Sequence, residues 1–233
     1  EPLIASPAAA CALTIVPDGS VSFRNVDFKY RAEAEENVLE GISFDIESGS
    51  TVGILGSTGA GKSSLVQLIA RLYDATAGEV LVGGCDVREY DLTVLRDAVG
   101  VVLQKNVLFT GTVRDNLRWG NAGATDDELL EACRLACVDE FLDRIGGLDG
   151  DLGQRGAGVS GGQKQRLCIA RALLKRPRIL IFDDSTSAVD MATEAKIRAN
   201  LASLPGVTCF IIAQRITSVM DADEIIVLDD GRL

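Results

Sequence analysis

The stretch Gly56-Ser57-Thr58-Gly59-Ala60-Gly61-Lys62-Ser63 limits the folds open to this chain more than any other. It has the G-x-x-x-x-G-K-[ST] spacing of a phosphate loop, and its setting agrees with that reading. The compact apolar run Thr51 to Leu55 ahead of it reads as a buried strand. Behind it Leu65, Leu68, Ile69 and Leu72 recur at i, i+3, i+4 and i+7, as on one helix face. The glycines let the backbone curl so that successive N–H groups point inward, and the positive N-terminal end of the following helix adds to the field. Such a concavity suits a polyphosphate. In this reading Ser57, Thr58, Gly59, Ala60, Gly61, Lys62, Ser63 and Ser64 line a nucleotide's phosphates, with Lys62 reaching the β- and γ-phosphates and the Ser63 hydroxyl ligating Mg²⁺.

Around that loop the chain reads as a wound α/β core. Short, fully apolar runs at Val99 to Leu103, Ile179 to Phe182, Val207 to Ala213 and Ile225 to Leu228 have the pattern of parallel strands buried on both faces. Helical patterns separate most of them. Val21 to Val26 and Ile42 to Ile46 alternate instead, as half-buried strands of a small antiparallel sheet do. Between Thr112 and Arg155 no strand pattern occurs, and Leu129, Leu130, Cys133, Ala136 and Cys137 mark an amphipathic helix, so this stretch reads as a helical insertion. Residues 1–19 hold Pro2, Pro7 and Pro17 with an alanine cluster and no amphipathic period, and read as a linker; the domain is expected to begin near Ser20.

Composition narrows the partners. With 47% hydrophobic and 24% charged residues in 233, the chain has ample material for a core. A net charge of −11 makes its surface as a whole repel nucleic acid and anionic lipid headgroups. No run approaches the roughly 18 apolar residues a membrane-spanning helix needs. Cys11, Cys85, Cys133, Cys137, Cys168 and Cys209 are spread along a chain too long to need disulfide staples, and are read as buried thiols of a reducing cytosol. Cys133 and Cys137 would share a helix face, but with no histidine in the chain the ligand supply for zinc is thin, and packing is the reading adopted.

Two further stretches carry chemistry. Ile179-Leu180-Ile181-Phe182-Asp183-Asp184 ends an apolar strand on two acids, which places Asp183 where a second holder of Mg²⁺ is expected. Val159-Ser160-Gly161-Gly162-Gln163-Lys164-Gln165-Arg166 opens a helix on a serine N-cap and two glycines, a second set of exposed N–H groups.

Ser160 to Gln163 resembles the signature motif of ABC ATPases, and the resemblance extends over nearly the whole chain from Ser20 onward. It implies a P-loop NTPase (RecA-like) α/β core with an antiparallel β subdomain and an inserted α-helical subdomain, the last over residues about 106–165. Within it Tyr30 resembles the aromatic that stacks on adenine and Gln104 the glutamine that senses Mg²⁺ and γ-phosphate, so that Ser63, Gln104 and Asp183 form the expected metal set. Ser187-Ala188-Val189-Asp190 resembles the loop that crosses to a partner domain. Asp151 to Gly156 and Leu108 to Val113 are similar to segments of exporter-type members. The resemblance implies ATP and Mg²⁺ as cofactors and a second ABC domain paired head to tail. There Ser160, Gly161, Gly162 and Gln163 serve the partner's ATP. It also implies a transmembrane domain joined through residues 1–19, and a place on the cytoplasmic face of the membrane.

Two positions depart from the family pattern. Asp184 stands where the family places a water-polarising glutamate, and Gln214 where it places a switch histidine. Both fall on the same ATP site. The pair resembles the degenerate, slowly hydrolysing half of a heterodimeric exporter, whose partner would be a non-identical chain. The alternatives are a soluble ABC ATPase acting on nucleic acid, which the acidic surface opposes, and a nucleotide-binding regulatory module without turnover.

Overall fold

The computed structural model describes residues 4–8, 12–31, 33–183, 189–214 and 216–233. Along the chain run β1 (Val21–Phe28), β2 (Leu39–Ile46), β3 (Thr51–Gly56), α1 (Lys62–Ile69), β4 (Ala77–Val82), β5 (Cys85–Asp86), α2 (Leu92–Ala98) and β6 (Val99–Val102). Then come α3 (Val113–Arg118), α4 (Asp126–Leu135), α5 (Asp139–Leu142), α6 (Gly161–Leu173), β7 (Ile179–Asp183), α7 (Met191–Ala202), β8 (Thr208–Ile212) and β9 (Glu224–Leu228), with short 3₁₀ turns between several of them. The chain divides into two compact units, the first running to Val99 and adding Arg178–Ile181 and Gly206–Leu233, the second made of Gly100–Pro177 and Phe182–Pro205.

In the first unit β1 is an inner strand of the antiparallel sheet, whose order is β2-β1-β4-β5. Val21 faces Ile46 on one side and Val82 on the other. The buried side chains of β1 are Val21 and Phe23, then Val26 and Phe28, a switch from odd to even positions. An irregularity at Asn25 causes it: this residue takes the left-handed region at φ 48°, its N–H donates to Ser43 Oγ, and the pairing register shifts there. One extra residue in a strand flips every later side chain to the other face, so the bulge keeps the whole strand's apolar set in the core. Gly78 lies opposite, where a Cβ would stand 2.3 Å from the Asn25 carbonyl oxygen. β4 and β5 carry no signal that the sequence reading recognised.

The second sheet has the order β6-β7-β8-β3-β9, and β3 pairs in parallel with both β8 and β9. All of β8 and Ile179 to Phe182 of β7 are buried, as continuous apolar runs require. The two end strands depart from that expectation. Val101 of β6 and the following Leu103 are exposed, as are Ile225 and Val227 of β9, whereas Ile226 and Leu228 between and after them are buried, so β9 is covered on one face only. The helix after the phosphate loop is also shorter than its apolar period implies: α1 stops at Ile69, Arg71 turns left-handed at φ 47°, and Leu72 is exposed. Ahead of β1, Leu13 bridges to Tyr90 and Val16 joins the core, so part of the stretch read as a linker packs on this unit.

In the second unit α3 and α4 open on capping boxes, Thr112 with Asp115 and Thr125 with Glu128, each satisfying donors at the helix start. Both helices pack on α6. Glu140 accepts hydrogen bonds from Arg166 and Lys196 at 2.8 Å each, tying the α5 turn to α6 and α7. Cys133 and Cys137 do not share a helix face: α4 ends at Leu135 and Cys137 turns left-handed at φ 56°. Cys133, Cys137, Cys168 and Cys209 are buried thiols, Cys85 is half-buried, and Cys11 lies outside the described residues. Among the described residues no helix is long and apolar enough to cross a membrane.

Candidate nucleotide-binding site

The phosphate loop belongs to the first unit and joins β3 to α1. Gly61 is the N-cap of α1 at φ 95°, a conformation open to glycine at little cost. A Cβ there would lie 2.7 Å from Leu39 Cδ2, and one on Gly56 would lie 2.3 Å from the Leu228 carbonyl oxygen. Gly59, also left-handed at φ 88°, has nothing within 4 Å of where its Cβ would stand, so the loop is tight beneath and open above. The Lys62 ammonium folds back along it, donating to the carbonyl oxygens of Gly56 and Ser57 at 2.7 Å each. The first turn of α1 contains no acidic residue, so no side chain there cancels the positive helix end. These residues fit the triphosphate of a nucleotide: a concave backbone, a cation spanning it, and the hydroxyls of Ser63 and Ser64 in the first turn.

Tyr30 belongs to the same unit, two residues beyond β1. Its hydroxyl lies 2.8 Å from the Ser64 hydroxyl and donates to Gln67 Oε1 at 3.4 Å, while half of the residue remains exposed. Gln214 follows β8 by two residues and is exposed. The hydrogen bond from Ala213 N–H to the Ile54 carbonyl, at 3.2 Å, places it beside the strand that feeds the phosphate loop. Tyr30, Ser57 to Ser64 and Gln214 thus all belong to the first unit.

The second unit holds the others. Gln104 lies in the exposed segment after β6, and Asp183 is the last residue of β7. Ser160 is the N-cap of α6 in extended conformation, as its sequence implies. A reciprocal bond that the sequence reading missed completes the cap: Gln163 N–H donates to Ser160 Oγ at 3.3 Å, and Ser160 N–H donates to Gln163 Oε1 at 2.9 Å. The S-x-x-Q spacing of a capping box was the available signal. Gly161 and Gly162 fill the first turn between them. Asp190 caps α7, and the backbone hydrogen bond from Thr193 holds its carboxyl below the ordinary value. Asp184, Ser187 and Ala188 lie outside the described residues.

A phosphate loop of this build at the carboxyl end of a parallel strand, with a half-exposed tyrosine anchored to its helix, defines a P-loop nucleotide-binding domain. The family model described as ABC transporter matches residues 39–187, and the chain belongs to that family. An uncharacterized ABC transporter ATP-binding protein of Mycobacterium tuberculosis is 47% identical over 219 residues, covering 92% of this chain and 37% of that protein. A putative multidrug export ATP-binding/permease protein of Bacillus subtilis is 42% identical over 217 residues, with the same two coverages, 92% and 37%. Among solved structures, a bacterial Atm1-family ABC exporter with ATP bound superimposes with a TM-score of 0.91 at 41% identity, covering 99% of this chain and 40% of that one. The chain therefore spans little more than a third of the length of these relatives.

Proposed function

We propose that this chain is the ATP-binding domain of an exporter-type ABC transporter, acting at the cytoplasmic face of a membrane and converting ATP binding and hydrolysis into movement of a transmembrane domain. The observation that carries the reading is the phosphate loop with Lys62 laid across the Gly56 and Ser57 carbonyls. The likeness to the ATP-bound exporter supports the exporter class. Tyr30 would take the adenine and Ser57 to Ser64 the phosphates, with Ser63 as a Mg²⁺ ligand; Gln104 and Asp183, in the other unit, are the further Mg²⁺ holders that the family resemblance implies. Bound Mg·ATP supplies the phosphoanhydride whose cleavage drives the cycle. Residues 1–19 lead from the transmembrane domain, and residues about 106–165 form the helical subdomain.

The partner is a second ABC domain of different sequence, to whose ATP this chain lends Ser160, Gly161, Gly162 and Gln163. Its own site hydrolyses slowly. Asp184 is one carbon, roughly 1.5 Å, shorter than glutamate, while a general base must come within about 2.6–3.2 Å of the proton it takes. Gln214 donates a hydrogen bond but cannot become cationic, so charge stabilisation at the γ-phosphate is lost.

The test is the double change Asp184→Glu with Gln214→His in the assembled transporter, with the sister chain's catalytic glutamate disabled. General-base catalysis typically contributes about 10²–10⁴-fold, and single-turnover hydrolysis should rise by a factor of that order. Either change alone should recover little, because such residues act as a unit. An unmodified site that already turns over as fast as its sister would make this an ordinary catalytic domain.

A further inference from the structure

The sequence assigns no role to the turn that follows α1, yet that turn holds an exposed aromatic in a fixed place. Tyr73 is 40% exposed and lies beside Tyr30, their ring centroids 5.0 Å apart and their planes at 85°. Phe28, buried in the core, meets Tyr30 at 4.9 Å and 76°. Perpendicular ring contacts at these distances are the favoured aromatic geometry. With its hydroxyl against Ser64, Tyr30 is thus held at three points while 49% of it stays exposed.

Both ends of the Tyr73 turn are clamped. At its start the buried Arg71 donates from Nε to Asp74 Oδ1 at 2.8 Å, and Arg96 Nη2 donates to the Arg71 carbonyl at 3.0 Å. At its end Thr76 N–H donates to the Asp27 carbonyl at 2.8 Å, and Lys29 N–H donates to Thr76 Oγ1 at 3.1 Å. The second pair stitches the turn to the strand end from which Tyr30 emerges. A surface tyrosine ordinarily samples several rotamers; here a half-buried ion pair and three backbone-anchored hydrogen bonds fix the turn that carries the Tyr73 ring.

We propose that Tyr73 is a positioning residue for nucleobase recognition: its ring holds Tyr30 in the orientation on which the base of a nucleoside triphosphate stacks. The inference rests on the reading of Tyr30 as the base platform. A platform oriented before binding loses no rotamer freedom when the base arrives, so its contact is stronger than that of a free ring. Tyr73 has no part in the phosphate loop, so its contribution belongs to the base alone.

Calorimetric titration of the 233-residue chain with Mg·ATP and with inorganic tripolyphosphate tests this. Tyr73→Leu removes the ring and keeps an apolar side chain. It should weaken ATP by about three- to tenfold, in line with the worth of one aromatic pair, and leave tripolyphosphate within about twofold of wild type. Tyr73→Phe should retain wild-type affinity for both. Unchanged ATP affinity in Tyr73→Leu, or equal weakening of ATP and tripolyphosphate, would overturn the positioning role while leaving the nucleotide reading intact. A wild-type chain that binds neither ligand would overturn both together.

Discussion

The hydroxyl of Tyr30 and the hydroxyl of Ser64 stand 2.8 Å apart, across 34 residues of sequence, joining the ring beside the phosphate loop to the helix that the loop opens. Tyr30→Ala removes the stacking surface and should weaken ATP binding about tenfold, within the range for one base on one aromatic. Tyr30→Phe keeps the ring and loses only the hydroxyl bond, so its loss should be less than about threefold, as for one neutral hydrogen bond. Titration of the three forms separates ring from hydroxyl. Equal losses in both variants would mean that Tyr30 acts through Ser64 rather than through its face.

Lys62 spans the phosphate loop through the Gly56 and Ser57 carbonyls. Charge-assisted hydrogen bonds contribute about 1.5–3 kcal/mol each, so Lys62→Ala should weaken Mg·ATP by at least about tenfold. Equal affinity of wild type and variant by calorimetry would show that the phosphates bind elsewhere.

Ser160 and Thr125 are both N-caps in reciprocal capping boxes, one opening α6 and the other α4. Replacing either by alanine should cost about 1 kcal/mol of stability, read as a shift in the urea midpoint. Their functional effects should differ. Only Ser160→Ala should also lower ATP turnover of the assembled transporter, because Thr125 has no place in the signature. Parallel losses of turnover in both variants would reduce Ser160 to a cap.

Burial pushes the thiols of Cys133 and Cys209 up to about 12. Unfolded, a cysteine titrates near about 8.5. Above that pH the unfolded chain releases these protons while the folded chain keeps them, so the folded state binds more protons and stability falls as pH rises towards the folded values. The stability difference between pH 7.5 and pH 10, read from urea midpoints, should be smaller in the double variant Cys133→Ala, Cys209→Ala than in wild type. Identical pH dependence would show that the thiolates are accommodated inside. At pH 8, iodoacetamide should modify these two cysteines in the native chain far more slowly than in urea.

Local pattern determined a large part of this protein. The phosphate loop, the strand before it, the start of α1 and the serine cap of α6 were all legible, because each depends on residues within a few positions of one another. The apolar runs of β7 and β8 were equally plain, since a strand covered on both faces must be apolar throughout. Tertiary structure decided what depends on residues distant in sequence. Which faces of the end strands are covered decided that Val101, Ile225 and Val227 are exposed despite their apolar runs. The left-handed turn at Arg71, held by Asp74 and Arg96, ended α1 ahead of Leu72. The bulge at Asn25 set the register of β1 through Ser43. In the sequence Tyr30 carried only a resemblance to an adenine-stacking aromatic; Ser64 and the clamped turn of Tyr73, both distant in sequence, joined the neighbouring Phe28 in giving it an orientation. Short-range sterics and periodicity repeat along a chain and can be read from it, whereas an edge, a bulge or an aromatic cluster exists only once distant segments have met.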